Sequence, residues 1–266
     1  MGASTKHRIT IIGSGNVAWH LAPALDNVGY IIGEVSSRNP QHAHNLAKRL
    51  YQAHVVEGLD FSESDSDLFI LAVSDEAIEE VATEIILPEK SIVAHTSGSQ
   101  PLSLLGYLPT EHIGVFYPLQ TFSKGKKVDF ENIPFCIESD SSTCRDVLWD
   151  MASLLSKHVL NIGYADRRTL HIAAIFACNF TNHMMTLSKQ ILDRKGLDFE
   201  VLHPLISETI NKTLELGPEE GQTGPALRND QTIIDQHLQY LANNEDLLEI
   251  YRMISQHITQ MYSTNT

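Results

Sequence analysis

His95-Thr96-Ser97-Gly98-Ser99 is the most polar stretch at any strand end of the sequence. It follows the apolar run Ser91-Ile92-Val93-Ala94 and gathers an imidazole, hydroxyls and loop amides in one place. Imidazole titrates near neutral pH, so it suits proton transfer. A second polar set interrupts a long apolar helical pattern. There Asn179, Asn182 and His183 stand at i, i+3 and i+4 and share a helical face. The chemistry open to these types is acid/base work by His183 or His95, with Asn179 and Ser97 orienting a carbonyl or hydroxyl. Plainer readings stand beside it. Ser97 and Ser99 cap a helix at Pro101 to Leu105, His95 is a satisfied buried imidazole, and Asn179 and His183 bond neighbouring helices.

Such groups need an element that positions a reactive partner. Arg8-Ile9-Thr10-Ile11-Ile12 is a short apolar run leading into Gly13-Ser14-Gly15-Asn16-Val17-Ala18, the pattern G-x-G-x-x-A. An amphipathic helix then begins, with Val17, Leu21, Ala24, Leu25 and Val28 on one face. Strand, glycine turn and helix in this order make a dinucleotide-binding unit. Gly13 permits the tight turn, Gly15 the approach of a diphosphate, and Ala18 close helix–strand packing. The diphosphate would sit on the helix N-terminus, where free N–H groups and the dipole favour an anion. Pro23 lies inside this helix, where it removes a hydrogen bond and predicts a kink.

The next strand, Tyr30 to Val35, ends in Ser36-Ser37-Arg38. An NAD site usually has Asp or Glu at this strand end. Hydroxyls and a guanidinium suit a 2′-phosphate instead, so the reading is NADP. Glu34 opposes it, since a strand ending earlier would put Glu34 on the ribose; a plain solvated Arg38 is the other alternative. Ala72, Val73 and Ser74 follow the buried strand Leu68 to Val73, and Thr96 follows the next one. Both sets lie at strand C-termini, where open α/β sheets bind ligands. Asp75 reads as a helix cap. Further strands are expected near His54 to Val56, Ile113 to Phe116, Pro134 to Ile137 and Val159 to Ile162. Helices are expected at Gln41 to Leu50, Ala77 to Ile86 and Ser142 to Ser156. Lys124 to Lys127 reads as a solvated basic loop.

The fold class is therefore α/β: a doubly wound Rossmann-like sheet domain over 1–163, followed by an all-α domain over 164–266. In the second part helical periodicity replaces strand signals. Arg167 to Arg194 reads as one long helix, apolar nearly all round, hence buried and often at a subunit interface. Phe199 to Leu216, a third helix capped by Asp230, and Asn244 to Met261 follow. A Gly/Pro-rich loop with Thr223 and Arg228 is a connector with the length to touch a ligand.

Composition narrows the function. The chain has 266 residues and a formal net charge of −14, which argues against nucleic acid and anionic membranes as partners. Hydrophobic residues make up 42 %, with no run long enough to span a bilayer. Met1 to Lys6 has no apolar signal-peptide core and no myristoylation pattern. Cys136, Cys144 and Cys178 are too few and scattered for a disulfide framework, so a reducing cytoplasm is expected. Thirteen histidines raise a metal enzyme, but no metal-ligand spacing occurs among them.

G-S-G-N-V-A, S-S-R, H-T-S-G, Y-P-L-Q-T-F and T-G-P-A-L-R-N-D together resemble a bacterial group of NADP oxidoreductases. The resemblance covers nearly the whole chain. In that group a Rossmann-like domain precedes a helical domain of unknown function. The group is related to pyrroline-5-carboxylate reductases, 3-hydroxyisobutyrate dehydrogenases and deazaflavin-linked NADP reductases. The resemblance implies NADP binding and a homodimer built from the helical domains, and it supplies no substrate. Tyr117-Pro118-Leu119-Gln120 departs from the group's H-P-L-Q, placing a phenol where an imidazole is usual. The hydroxyacid dehydrogenases' lysine on the first long interdomain helix is missing too; the first lysine here is Lys189. The expected function is hydride transfer between NADP(H) and a small polar metabolite, and the rival is a non-catalytic NADP-binding sensor.

Overall fold

The computed structural model describes residues 7–263. The opening residues read above for targeting signals lie outside that range. In chain order the first elements are β1 (Arg8–Ile12), α1 (Asn16–Asn27), β2 (Ile31–Ser36), α2 (Pro40–Ala47) and β3 (His54–Val55). Next come β4 (Leu68–Leu71), α3 (Ile78–Glu84), β5 (Ile92–His95), β6 (Ile113–Pro118) and β7 (Phe135–Glu138). Then follow α4 (Ser142–Leu155), β8 (Val159–Asn161) and α5 (Tyr164–Ala174). Every expected strand is present.

The eight strands form one sheet in the order β3-β2-β1-β4-β5-β6-β7-β8. Strand order reverses between β1 and β4, and ligands of open α/β sheets bind beyond the strand ends at such a point. All pairings are parallel except β6 with β7. Parallel strands covered on both faces must be apolar throughout, and β4 is buried at all of Leu-Phe-Ile-Leu. Alternation divides its side chains between two cores. Leu68 and Ile70 join Ile9, Ile11, Leu21 and Leu25 on the α1 side. Phe69 and Leu71 join Ile12, Ile78 and Leu105 on the α3 side.

α1 runs unbroken through Pro23. Proline has no N–H to give to the carbonyl four residues earlier, that of Trp19. The Arg49 guanidinium takes that carbonyl instead and lies over the Trp19 ring, 4.1 Å from its centroid. The missing internal bond is thus replaced from outside the helix.

Asp75 does not cap α3 as expected. A short 3-10 turn, Asp75–Ala77, precedes the helix with no side-chain cap, and the Asp75 carboxylate accepts from Ser99 Oγ. The segment after Pro101 is one 3-10 turn, Leu102–Leu105. α5 is tied to the sheet by its one buried residue, Arg167. This gives a first compact unit running to Cys178 and a second over Asn179–Thr266, where the sequence pattern placed the start of the helical part at 164.

After α5, the helical run expected from Arg167 to Arg194 contains a π turn over Ile175–Phe180 and then α6 (Thr181–Asp193). None of the residues in that turn or in α6 is buried in the single chain, so the apolar face expected at a subunit interface is not covered within the subunit itself. The second unit continues with α7 (His203–Leu216), α8 (Gln231–Leu241) and α9 (Glu245–Ser263). Asp230 caps α8 by accepting from the Ile233 N–H, as its position predicted. α8 and α9 bury Ile234, Leu241 and Leu247, and Thr259 Oγ1 of α9 donates to the Ala226 carbonyl.

Candidate active site

The switch point opens into a cleft of about 790 Å³. Its floor is the β1–α1 turn. Gly13 has φ +110, and a Cβ there would lie 2.2 Å from the Ala72 carbonyl oxygen. Only glycine fits, because the turn rests on the backbone at the end of β4. Gly15 stands at the α1 N-cap and offers no side chain to cap it. The first helical amides thus remain available to an anion. The turn and the uncapped helix fit a dinucleotide diphosphate.

Of the expected cofactor residues, Gly13, Ser14, Gly15, Asn16, Val17, Ser36, Ser37, Arg38, Ala72, Val73 and Ser74 line this cleft. Ala18 and Thr96 do not. Ala18 is fully buried against the sheet, which is its packing role. Thr96 spends both its N–H and Oγ1 on the Leu71 carbonyl.

The ribose end separates Ser37 and Arg38 from Ser36. Ser36 Oγ donates to the Gly58 carbonyl at 2.8 Å, so its hydroxyl proton is committed inside the protein. Ser37 Oγ pairs with Ser14 Oγ at 2.8 Å, and Arg38 is exposed on the cleft wall. Glu34 is removed from contention for the ribose. It is buried and accepts from Thr10 Oγ1 at 2.6 Å and Ser64 Oγ at 2.5 Å. Lys124, read as part of a solvated loop, lines the cleft as well. Its loop is pinned by His20, whose Nε2 pairs with the Ser123 carbonyl at 2.9 Å and whose ring stacks on Phe122.

The stretch following β5 is held from behind rather than opened to the cleft. His95 is fully buried, and its Nδ1 accepts from the Ser97 N–H at 3.1 Å. Burial, helped by the Arg167 charge, pushes its pKa down to about 3. The Pro101 carbonyl opposes that fall, but Nε2 has no partner in hydrogen-bond geometry. A neutral interior imidazole is not a proton donor at neutral pH, so the acid/base expectation for His95 is corrected to that of a support. Ser97 Oγ accepts from the Ser99 and Gln100 N–H groups and thereby shapes the turn.

Arg167 latches that turn. It is fully buried; Nη1 donates to the Ser97 and Gln100 carbonyls at 2.9 and 2.8 Å, and Nη2 to Glu138 Oε2 at 2.7 Å. A buried guanidinium requires this degree of pairing. The register explains the meeting, because His95 and Glu138 both flank Val115 across the sheet.

The polar pair beside this turn was not singled out by its spacing. Tyr117 Oη lies 3.1 Å from His171 Nδ1. Both press on Gly98, where a Cβ would come within 2.5 Å of Tyr117 Cζ and 2.7 Å of His171 Nδ1. Burial pushes the Tyr117 phenol up to about 12, so it keeps its proton at neutral pH. The only sequence signal for His171 was a histidine near the start of the long helix. Asn179 and His183 belong to the second unit and are exposed on it. Among the described residues no group of three or more His, Cys, Asp or Glu could hold a metal. No helix there is long and apolar enough to cross a membrane.

Residues 8–98 match the family model described as NADP oxidoreductase, coenzyme F420-dependent. Residues 133–258 match a domain of unknown function, DUF2520. No curated protein matches the sequence. Among solved structures, an NADP oxidoreductase from Bacteroides fragilis is 39 % identical, with a TM-score of 0.88, over 96 % of this chain and 98 % of its own. A Thermotoga maritima protein is 21 % identical with a TM-score of 0.71, over 97 % of this chain and 99 % of its own. The reductive aminase of Aspergillus terreus, in complex with NADPH and ethyl levulinate, is 13 % identical. Its TM-score is 0.71, over 97 % of this chain and 95 % of its own. The last two share the fold.

Proposed function

The chain belongs to the NADP oxidoreductase family that joins an F420-dependent-type NADP oxidoreductase domain to DUF2520, and from that premise we propose that it reduces a C=O or C=N bond in a small polar metabolite. The observation that carries this reading is the Tyr117–His171 pair at the end of β6, 3.1 Å apart. NADPH supplies the hydride. Tyr117 Oη gives its proton to the oxygen or nitrogen of the substrate, and His171 Nδ1 returns a proton to Tyr117. The sum is one hydride and one proton added across the double bond. His95, Ser97 and Arg167 hold the turn against which this pair rests. Reduction of a C=N bond is in keeping with the reductive aminase and imine reductase named among the structural neighbours.

Asn179 and His183, exposed polar groups of the helical unit, remain candidate orienting and acid/base groups on residue type alone. That unit also leaves Val201, Leu205, Leu214 and Met253 more than half exposed. An apolar surface of this kind favours a homodimer through the helical domain.

The test is a screen of small aldehydes, ketones, imines and hydroxyacids, following NADPH absorbance. Turnover that falls sharply in Tyr117→Phe and His171→Ala supports the reading. Tight NADPH binding with no turnover on any compound class would leave the non-catalytic sensor as the better account.

A further inference from the structure

Lys124 occupies an unusual place. Its Nζ lies 5.1 Å from the centroid of the Trp19 ring, and Arg49 covers the same ring at 4.1 Å. Trp19 is in the first turns of α1, the helix whose uncapped N-terminus faces the cleft. Two cations share one aromatic surface, and each weakens the other's hold by repulsion. Arg49 is anchored by its bond to the Trp19 carbonyl. Lys124 is exposed, and its flexible stem carries a compact charge that can turn elsewhere.

The charge around the cleft gives it somewhere to turn. Besides Lys124, the ionic residues lining the cleft are Arg38, at the ribose end, and the acids Glu57, Glu80 and Glu84. A dinucleotide diphosphate brings negative charge into a protein whose formal net charge is already −14. The α1 dipole offsets only part of that charge. The backbone beside Lys124 is held through His20, whose Nε2 pairs with the Ser123 carbonyl and whose ring stacks on Phe122.

We propose that Lys124 is a diphosphate clamp: on cofactor binding its ammonium swings from the Trp19 ring to the dinucleotide diphosphate, while the backbone of the loop after β6 stays in place. The inference rests on the cofactor site described above, and the probes separate its failure from failure of that site. Lys124 then serves NADPH and NADH alike, whereas Arg38 serves the 2′-phosphate alone.

The measurement is cofactor binding by calorimetry and by tryptophan fluorescence in a Trp149→Phe background, where Trp19 is the only reporter left. Lys124→Met should weaken NADPH and NADH by a similar factor, about tenfold, the weight of one charge-assisted hydrogen bond. It should also remove most of the Trp19 fluorescence change on binding, and Lys124→Arg should restore affinity. Binding of 2′-AMP, which has no diphosphate, should not change in Lys124→Met and should weaken in Arg38→Ala. Unchanged NADPH affinity in Lys124→Met would overturn the proposal, as would loss of 2′-AMP binding in that variant. If Arg38→Ala also left 2′-AMP binding intact, the cofactor site itself would be misplaced.

Discussion

Ser14 Oγ and Ser37 Oγ stand 2.8 Å apart, joining the turn after β1 to the turn after β2. The bond holds in register the two turns proposed here to meet the cofactor's diphosphate and its ribose.

Specificity for the 2′-phosphate should therefore rest on Arg38 and Ser37 and not on Ser36. Arg38→Ala should weaken NADPH by roughly 1–3 kcal/mol, as expected for lost bonds to a charged group, and leave NADH nearly unchanged. Ser36→Ala should leave the NADPH-to-NADH ratio as it was, because that hydroxyl serves Gly58. Equal losses for both cofactors in Arg38→Ala would refute the assignment.

Tyr117→Phe and His171→Ala should each lower turnover by about 10²–10⁴-fold, the usual weight of acid/base catalysis, and leave NADPH affinity intact. His183→Ala is the comparison that decides between the two halves of the chain. A loss of that size in His183→Ala alone, with His171→Ala active, would move proton transfer to the helical unit.

His95 makes stability fall in acid. Its pKa drops from 6.5 to about 3 on folding, so below pH 6.5 the unfolded chain binds a proton that the folded one refuses. Stability from this group is complete above pH 6.5. It declines as the pH falls from 6.5 toward the lowered folded-state value of about 3. His95→Asn keeps an acceptor for the Ser97 amide and removes the titration. Urea unfolding at pH 7, 6 and 5 should show a flatter dependence in the variant. Parallel curves would mean that the imidazole is not held neutral.

Arg167→Met should destabilise the protein by roughly 3–5 kcal/mol, because Glu138 is left without its partner. Adding Glu138→Gln should recover part of that loss, as expected for coupled neighbours. Full additivity in thermal or urea unfolding would show that Arg167 and Glu138 are not coupled.

Light scattering at micromolar concentration should give the mass of a dimer. Charged substitutions at Leu205 and Leu214, both well exposed in the single chain, should shift it toward the monomer. A monomeric parent protein would remove the proposed interface.

The sheet was legible because its strands are apolar and alternate with helices, and because G-x-G-x-x-A marks where the chain first turns. The direction of β7 was not legible, since periodicity carries no sign of which way a strand runs. Glu34 stayed open as an alternative ribose ligand because its partners, Thr10 and Ser64, are 24 and 30 residues away. His171 was missed for the same reason, with its partner 54 residues earlier. Ser97 was expected to orient a substrate, with helix capping as the plainer alternative; its Oγ accepts from the Ser99 and Gln100 N–H groups, and nothing local announces that Arg167 holds this turn from 70 residues away. Asp75 resembled a cap by position, and the nearby hydroxyl of Ser99 won its carboxylate. Pairing across the sheet decides such roles, and sequence order does not display it.

The reversed strand has one further consequence. A parallel connection would have to leave the cofactor edge, cross the sheet and return from the opposite side. Because β7 runs against β6, the connecting residues 119–134 start and finish on the same edge. Phe130 and Ile133 of this segment are buried in the core, so its length is free only along the exposed stretch Lys124–Lys127. That stretch can lengthen, shorten or accept grafted residues while every strand keeps its neighbour. Related chains can thus remodel the mouth of the cleft by insertion and deletion, without redesigning the sheet that supports it.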